Sequence, residues 1–134
     1  MADHGTFRCA IVTPEAAVFD GAADFVALPA HDGEIGILRG RAPLLCKLGI
    51  GVLRLHVGDT KRSWFVDGGF AQVLDDRVTV LTRQARPPEA IDRAAAERDL
   101  AAAQEIKVAD ERTRQARADA IARARAQIRV GSAR

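Results

Sequence analysis

Two adjacent prolines, Pro87 and Pro88, constrain this chain more than any other feature of its sequence. Proline has no amide hydrogen, so two in succession end the pairing of β-strands, whereas Pro88 fits the first turn of a helix. Apolar and alternating runs precede the prolines, and an alanine-rich stretch follows them. We therefore predict a β-rich head at residues 1–86 and a helical tail at residues 87–134. A chain of 134 residues cannot hold two full-sized cores, so the tail must be thin.

The head reads as a series of short strands separated by Gly, Asp or Pro. Many short strands with regular turn signals are typical of an antiparallel sandwich or barrel. Gly58-Asp59 and Asp75-Asp76 separate neighbouring runs tightly enough for hairpins, and Gly68-Gly69 is suited to positive φ angles. The predicted strands are Phe7–Val12, Ala17–Phe19, Asp24–Pro29, Gly33–Leu38, Leu44–Leu48, Val52–Val57, Ser63–Asp67, Phe70–Leu74 and Arg77–Thr82.

The tail is predicted to form two helices, because alanine and isoleucine recur at helical spacing. We place the break near Lys107–Asp110, with Asp110 capping the second helix, and the end of that helix at Gly131. Stripes of alanine bury little area, so the hairpin gains modest stability from its own packing and is the part expected to move. The predicted apolar stripes are Ile91, Ala95, Ala102 and Ile106 on one helix and Ile121, Ala124 and Ile128 on the other.

Charge is distributed unevenly along the chain. The last 23 residues hold seven arginines and one acid, Asp119, so this stretch carries +6 while the whole chain carries +2. Such a helix is a solvated face, a site for nucleic-acid phosphates, or a site for an acidic protein surface. It has no aromatic residue for base stacking, so we favour the acidic protein partner over a nucleic-acid-binding module. The arginines are Arg112, Arg114, Arg117, Arg123, Arg125, Arg129 and Arg134.

The sequence lacks the residue groupings that an enzyme requires. Its histidines, His4, His31 and His56, are isolated, with no pair spaced to bind a metal. Cys9 and Cys46 lie in apolar surroundings without Cys-x-x-Cys spacing, so we expect two buried, reduced thiols. The first residues lack the charged and apolar regions of a signal peptide and no apolar run reaches the length of a membrane span, so we expect neither feature. We therefore predict a cytoplasmic protein that has no catalytic residues, no metal and no cofactor.

The glycine-dense segment Asp32–Pro43 lacks the Lys-Ser/Thr ending of a phosphate-binding loop. It is either a pair of tight turns around one strand or a loop that presents charges to a partner. In the second case the charged residues are Asp32, Glu34, Arg39 and Arg41.

The segment Asp32–Leu45, D-G-E-I-G-I-L-R-G-R-A-P-L-L, resembles the epsilon subunit of the F-type ATP synthases, which carry D/E-G-E-L-G-I-x-P-G-H-A-P-L-L at this place. Further segments resemble family positions in the same order, so the resemblance covers nearly the whole chain. They are Ile11–Glu15, Val18–Gly21, Gly51–Arg54, Gly68–Phe70, Val78–Leu81 and Ala126–Val130.

The resemblance implies an α+β fold, with an N-terminal antiparallel β-sandwich followed by a C-terminal antiparallel helical hairpin. It implies a non-catalytic subunit of the rotor's central stalk, at the cytoplasmic face of the bacterial plasma membrane and held there only through the complex. The head would bind the gamma subunit and the ring of c subunits. The hairpin would extend toward the acidic alpha and beta subunits and impede ATP hydrolysis.

The resemblance also assigns residues. Glu34 matches the acidic position of the ring-facing loop, while Arg39 replaces the usual proline and Arg41 the usual histidine. Some relatives bind ATP through an I/L-D-x-x-R-A motif. Here Ala95 stands where the arginine belongs, which leaves Asp92 and Arg98 as the contacts for a weakened ATP site.

Overall fold

Residues 5–132 are described by a computed structural model. Its strands are β1 (Phe7–Val12), β2 (Ala17–Ala23), β3 (Phe25–Ala30), β4 (Gly33–Ile37), β5 (Leu44–Val57), β6 (Thr60–Leu74), β7 (Arg77–Leu81) and β8 (Ala85–Arg86). A short 3₁₀ helix (Pro88–Ala90) leads to the helices α1 (Arg93–Gln104) and α2 (Glu111–Ser132).

The strands form one continuous sheet in the order β2-β1-β7-β6-β5-β3-β4, and β8 pairs with β6 beside it. The sheet folds over a single apolar core to which both of its ends contribute, for example Ile11 on β1, Leu28 on β3 and Trp64 on β6. The predicted β-sandwich followed by two helices is therefore confirmed. One detail of the prediction was wrong, since β1 and β7 run parallel while the other pairs are antiparallel. A parallel pair joins strands distant in sequence, so no local turn signal reveals it.

Two long strands replace four of the predicted short ones. β5 and β6 keep one register from Leu44 opposite Val73 to Val57 opposite Thr60. The predicted breaks fell at glycines. There the β5–β6 ribbon, the pair formed by these two strands, continues. What changes at the glycines is which alternate residues face the core, the even-numbered or the odd-numbered ones. On β6, Trp64 is buried in the core before the glycines, and Ala71 is buried there after them. Because side chains alternate along a strand, this change of parity gives each half of the ribbon its own outer face.

The change of parity depends on backbone angles that favour glycine. Gly68 and Gly69 have φ angles of +71° and +108°, which confirms the prediction for this pair. At Gly69 a Cβ atom would also lie 1.9 Å from the carbonyl oxygen of Leu81. The two-residue turn at Asp75 and Asp76 has positive φ at both positions, as a tight hairpin between twisted strands requires.

Side-chain caps start both helices. The Asp92 carboxylate accepts a hydrogen bond from the Ala95 amide, and the Asp110 carboxylate accepts one from the Thr113 amide. The Thr113 hydrogen bonds hold the pKa of Asp110 below its usual value. The predicted break and its cap at Asp110 are therefore confirmed, because the unpaired amides of a first helical turn need such an acceptor.

Other details of the tail differ from the prediction. The buried face of α1 is set by Ala96 and Ala103, one position away from the predicted Ala95 and Ala102. Gly131 does not end α2, which continues through it to Ser132. A Cβ atom at Gly131 would lie 3.2 Å from Ile91, so the glycine lets the end of α2 approach the segment before α1 closely.

The two cysteines differ in burial. Cys9 is fully buried, and burial raises the pKa of its thiol to about 12, whereas Cys46 is only partly buried. The expectation of two buried thiols was therefore right for Cys9 and wrong for Cys46.

This difference predicts selective labelling. A thiol-specific reagent at neutral pH should modify Cys46 in the folded chain and reach Cys9 only after unfolding, because the thiolate is the reacting species. Counting modified thiols by mass spectrometry, with a Cys46→Ser variant as the control, tests this. Modification of Cys9 in the native Cys46→Ser chain would contradict it.

Candidate functional site

The docked tail covers one outer face of the β5–β6 ribbon. Phe65 on β6 packs with Ala126 and Val130 of α2 and with Ile91, which precedes α1, and all four are buried. Two half-buried residues of β5, Ile50 and Val52, border this cluster. α2 thus lies directly on the head, but through a small apolar cluster that contains a single aromatic residue.

A buried carboxylate lies beside that cluster. Asp67 of β6 is 3 % exposed. Its carboxylate accepts hydrogen bonds from Arg83 of the head at 2.9 Å and from Arg123 of α2 at 3.0 Å. Burial alone would raise the pKa of Asp67, but the hydrogen bonds and charges of the two arginines outweigh it and lower the pKa below its usual value. Asp67 is therefore an ionised link between head and tail.

The arginines predicted to meet acidic subunits do not share one surface in this state. Arg114 pairs with Glu111 one turn before it on α2, and the Arg117 guanidinium donates to the Gln104 carbonyl oxygen at 3.4 Å. Arg123 is held by Asp67, as described above. The remaining three, Arg112, Arg125 and Arg129, are exposed. Arg134 lies outside the described residues.

The predicted contact segment Asp32–Pro43 is divided by a strand. Glu34 belongs to β4 and pairs with Arg54 of β5 at 2.9 Å, and Asp32 lies in the turn before it. Arg39 and Arg41 follow the other end of β4. Glu34 and Arg39 are five residues apart, which is about 16 Å at roughly 3.3 Å per residue of extended chain. The local geometry is that of two turns around one strand, and the presentation of these charges to a partner stays a prediction.

The turn that carries Arg39 and Arg41 is fixed to the head. The Gly40 amide donates to the Asp76 carboxylate at 2.7 Å, and the Arg39 guanidinium lies 3.8 Å from the same side chain. The amide of Arg41 also donates to the Leu38 carbonyl oxygen. This basic turn therefore stands beside the β6–β7 turn and presents both arginines to solvent.

The other outer face of the ribbon is not covered by the tail, and it carries exposed apolar side chains with Lys47 and Gln72 among them. Phe70 of β6 and Leu81 of β7 lie directly opposite each other, and both are 53 % exposed. Leu74 lies on the same side of β6, and Leu45 occupies the same side of β5, opposite Gln72. We call this surface the outer sheet face: Leu45, Phe70, Leu74 and Leu81.

The outer sheet face was not identified from the sequence. Contiguous exposed apolar residues on a rigid sheet commonly mark a site for a protein partner. The signal was present as Phe70 and Leu81, which are apolar at positions that alternate with buried ones. Their exposure could not be read before the change of parity at Gly68-Gly69 was known.

Neither residue proposed for a weakened nucleotide site lines the cleft between the head and α2. The Asp92 side chain caps α1, and Arg98 is exposed on that helix. A cleft of about 260 Å³ between head and α2 is lined by other residues: Glu34, Val52, Arg54, Ser63, Arg129 and Val130. The structure thus gives Asp92 a role in starting the helix.

Among residues 5–132, no three His, Cys, Asp or Glu side chains are grouped so that they could hold a metal ion. Neither α-helix in this part of the chain combines the length and the apolar character that crossing a membrane requires.

The head has a recognised family. Residues 6–88 match the family model described as ATP synthase, Delta/Epsilon chain, beta-sandwich domain. The ATP synthase epsilon chain of Rhodopirellula baltica is 48 % identical over 125 residues, which span 93 % of this chain and 98 % of the relative. That of Synechococcus sp. strain CC9311 is 45 % identical over 93 residues, 69 % of each chain. The chain therefore belongs to the epsilon-chain family of the F-type ATP synthases.

Solved structures share the fold. A chain in the Euglena gracilis mitochondrial ATP synthase, in a structure of OSCP, F1 and c-ring, superposes with a TM-score of 0.78 at 24 % identity. It covers 87 % of this chain and 76 % of its own length. A chain of the Tetrahymena thermophila mitochondrial ATP synthase, in a structure of the central stalk and c-ring, superposes with a TM-score of 0.65 at 14 % identity. The match covers 92 % of this chain and 95 % of that one.

Proposed function

We propose that this chain is a central-stalk subunit of a bacterial F-type ATP synthase, whose head joins the gamma subunit to the ring of c subunits. The observation that carries the proposal is the outer sheet face, an apolar surface left uncovered on a head whose other outer face is occupied by α2. Gamma would pack on this surface, because an apolar patch bordered by charges suits a lasting protein contact.

The basic turn at Arg39 and Arg41 is the proposed contact with the c-ring, with Asp32 and Glu34 at the other end of β4 as a second contact region. The tie between Gly40 and Asp76 supports this, because it fixes the basic turn at the edge of the outer sheet face. One rigid head would thus hold two partners side by side. The subunit would lie at the cytoplasmic face of the plasma membrane, held there through the complex and without a cofactor.

The tail is proposed to act as a brake on ATP hydrolysis. Its second helix carries a surplus of arginines suited to acidic segments of the alpha and beta subunits. In the docked state Arg123 is bound to Asp67 and part of α2 faces the head. The tail must therefore leave the head before all of these arginines can meet a partner.

Deletion of residues 112–134 tests the brake. The deletion should leave ATP synthesis in the reconstituted complex largely intact and raise ATP hydrolysis severalfold, because the arginines of α2 are removed while the strands of the head remain. Hydrolysis and synthesis are measured in parallel on vesicles that contain the whole enzyme. If hydrolysis by the complex is unchanged, the tail is a passive strut and the brake is refuted.

A weak ATP site remains part of the proposal only through Asp92 and Arg98. Asp92 already serves as the cap of α1, and Ala95 supplies no charge to a phosphate. Control of the tail is therefore assigned to contacts with the head rather than to ATP.

A further inference from the structure

We propose that Asp67 and Arg123 form a latch that holds α2 on the head, and that Arg83 is the reserve partner that allows the latch to open. The inference rests on the proposed function in one respect, namely that the tail leaves the head to act.

A small apolar cluster and one charged pair hold α2 on the head. The apolar cluster between head and α2 has one aromatic side chain, Phe65, and two of its members on the tail are Ala126 and Val130. Alanine buries little apolar area, so this cluster holds the helix weakly. A charge-assisted hydrogen bond to a carboxylate that is 5 % exposed is stronger than one at the surface. The pair Asp67 and Arg123 therefore contributes a large share of the docking free energy.

Detachment of α2 breaks the pair between Arg123 and the buried Asp67 carboxylate. A buried carboxylate that loses its partner is strongly unfavourable, and a latch with a single arginine would stay shut. Asp67 instead uses one oxygen, Oδ1, for Arg83 of the head, while the other, Oδ2, accepts from Arg123 and, at 3.4 Å, from the Gln84 side-chain amide of the head. When α2 leaves, Arg83 remains, since it belongs to the head and follows β7. The tail can therefore detach without leaving the carboxylate uncompensated.

Arg123 has a role in both the docked state and the proposed braking state. In the docked state this arginine is committed to Asp67, and in the proposed brake it is one of the cations that meet acidic subunits. The docked and braking states therefore compete for the same side chain. An acidic partner surface would favour release by taking Arg123 from the head.

Hydrogen exchange of the isolated full-length chain tests the latch directly. Amides of α2 should exchange at least about tenfold faster in Arg123→Gln and in Asp67→Asn than in the wild type, since a charge-assisted hydrogen bond is lost. Arg125→Gln is the matched control, because it removes the same charge two residues away from an exposed position. This control should exchange like the wild type.

The reserve role of Arg83 predicts that its replacement changes the exchange rate of α2 in the opposite direction. Arg83→Gln should slow exchange in α2 by about threefold, because it removes the repulsion between the two guanidinium groups and leaves Arg123 as the charged partner of Asp67, beside the neutral Gln84 amide. Faster exchange in Arg83→Gln would overturn the reserve role. Unchanged exchange in Arg123→Gln would overturn the latch itself. Exchange in the strands of the head shows whether each variant is folded. If Asp67→Asn does not fold, Arg123→Gln alone decides the test.

The latch and the brake can fail separately. If the exchange pattern holds while deletion of residues 112–134 leaves hydrolysis unchanged, the latch stands and the brake is wrong. If the deletion relieves inhibition while exchange in Arg123→Gln matches the wild type, the brake stands and the latch is wrong.

Discussion

A chain in which Phe70 is replaced by lysine and Leu81 by aspartate is expected to fold normally, because opposite charges face each other across the strands, and to bind the gamma subunit at least about 100-fold more weakly than the wild type. The two side chains are directly opposite each other on β6 and β7 and are half exposed, so they contribute little to the core. In the proposed complex they are buried. Truncation of a hot-spot residue typically costs about 2 kcal/mol or more of binding free energy. Charged side chains at these two positions would also lose their hydration when gamma binds, which weakens the complex further.

Val108→Asp is the control for this double variant. Val108 is 52 % exposed in the connection between α1 and α2, so it presents a similar apolar surface outside the outer sheet face. Titration calorimetry with purified gamma compares the three chains. Equal affinity of the double variant and the wild type would exclude the outer sheet face as the gamma site.

Replacement of Gly69 by alanine is expected to destabilise the head by at least about 3 kcal/mol, the size associated with a strained backbone combined with a steric clash. The added Cβ atom would lie 1.9 Å from the Leu81 carbonyl oxygen, and the φ angle of +108° is itself unfavourable for alanine. The strand pairing between β6 and β7 cannot widen at this point without loss of hydrogen bonds.

Gly58→Ala separates the clash from the backbone angle. Gly58 also has a positive φ, +57°, but no atom lies within 4 Å of an added Cβ, so its cost should be about 1 kcal/mol. Urea denaturation of both variants measures the difference. A Gly69→Ala chain as stable as Gly58→Ala would show that the close approach to Leu81 relaxes freely.

Local features of this fold were predictable because they depend on neighbouring residues. The cap at Asp110 and the turns at Gly58-Asp59 and Asp75-Asp76 each rest on contacts within a few positions. For the head, alternation predicted most strand positions. The helical break needed only Asp110, because a carboxylate that precedes a helix finds free amides wherever the helix lies.

Features that depend on distant partners were not predictable in this way. β1 pairs in parallel with β7, and β5 and β6 run straight through glycines that read as turns. The buried face of α1 was missed by one residue, because alanine-rich sequence fits either face and the choice is made by packing against α2.

The same reason explains the missed parts of the site. Asp67 reads as the polar end of a strand until Arg123, 56 residues later, is placed against it. The exposure of Phe70 and Leu81 depends on which half of the ribbon α2 covers. Conversely, the resemblance suggested one contact loop at Asp32–Pro43, and β4 separates its acidic and basic ends.

Site-specific photo-crosslinking in the assembled enzyme tests the central proposal most directly, because it reports which surface of the head meets gamma. A photoreactive residue at Leu81 lies on the outer sheet face, and one at Asp59 lies in the turn at the opposite end of the β5–β6 ribbon. We expect position 81 to crosslink to gamma and position 59 not to do so. A crosslink to gamma from position 59 and none from position 81 would contradict the proposed docking of the head.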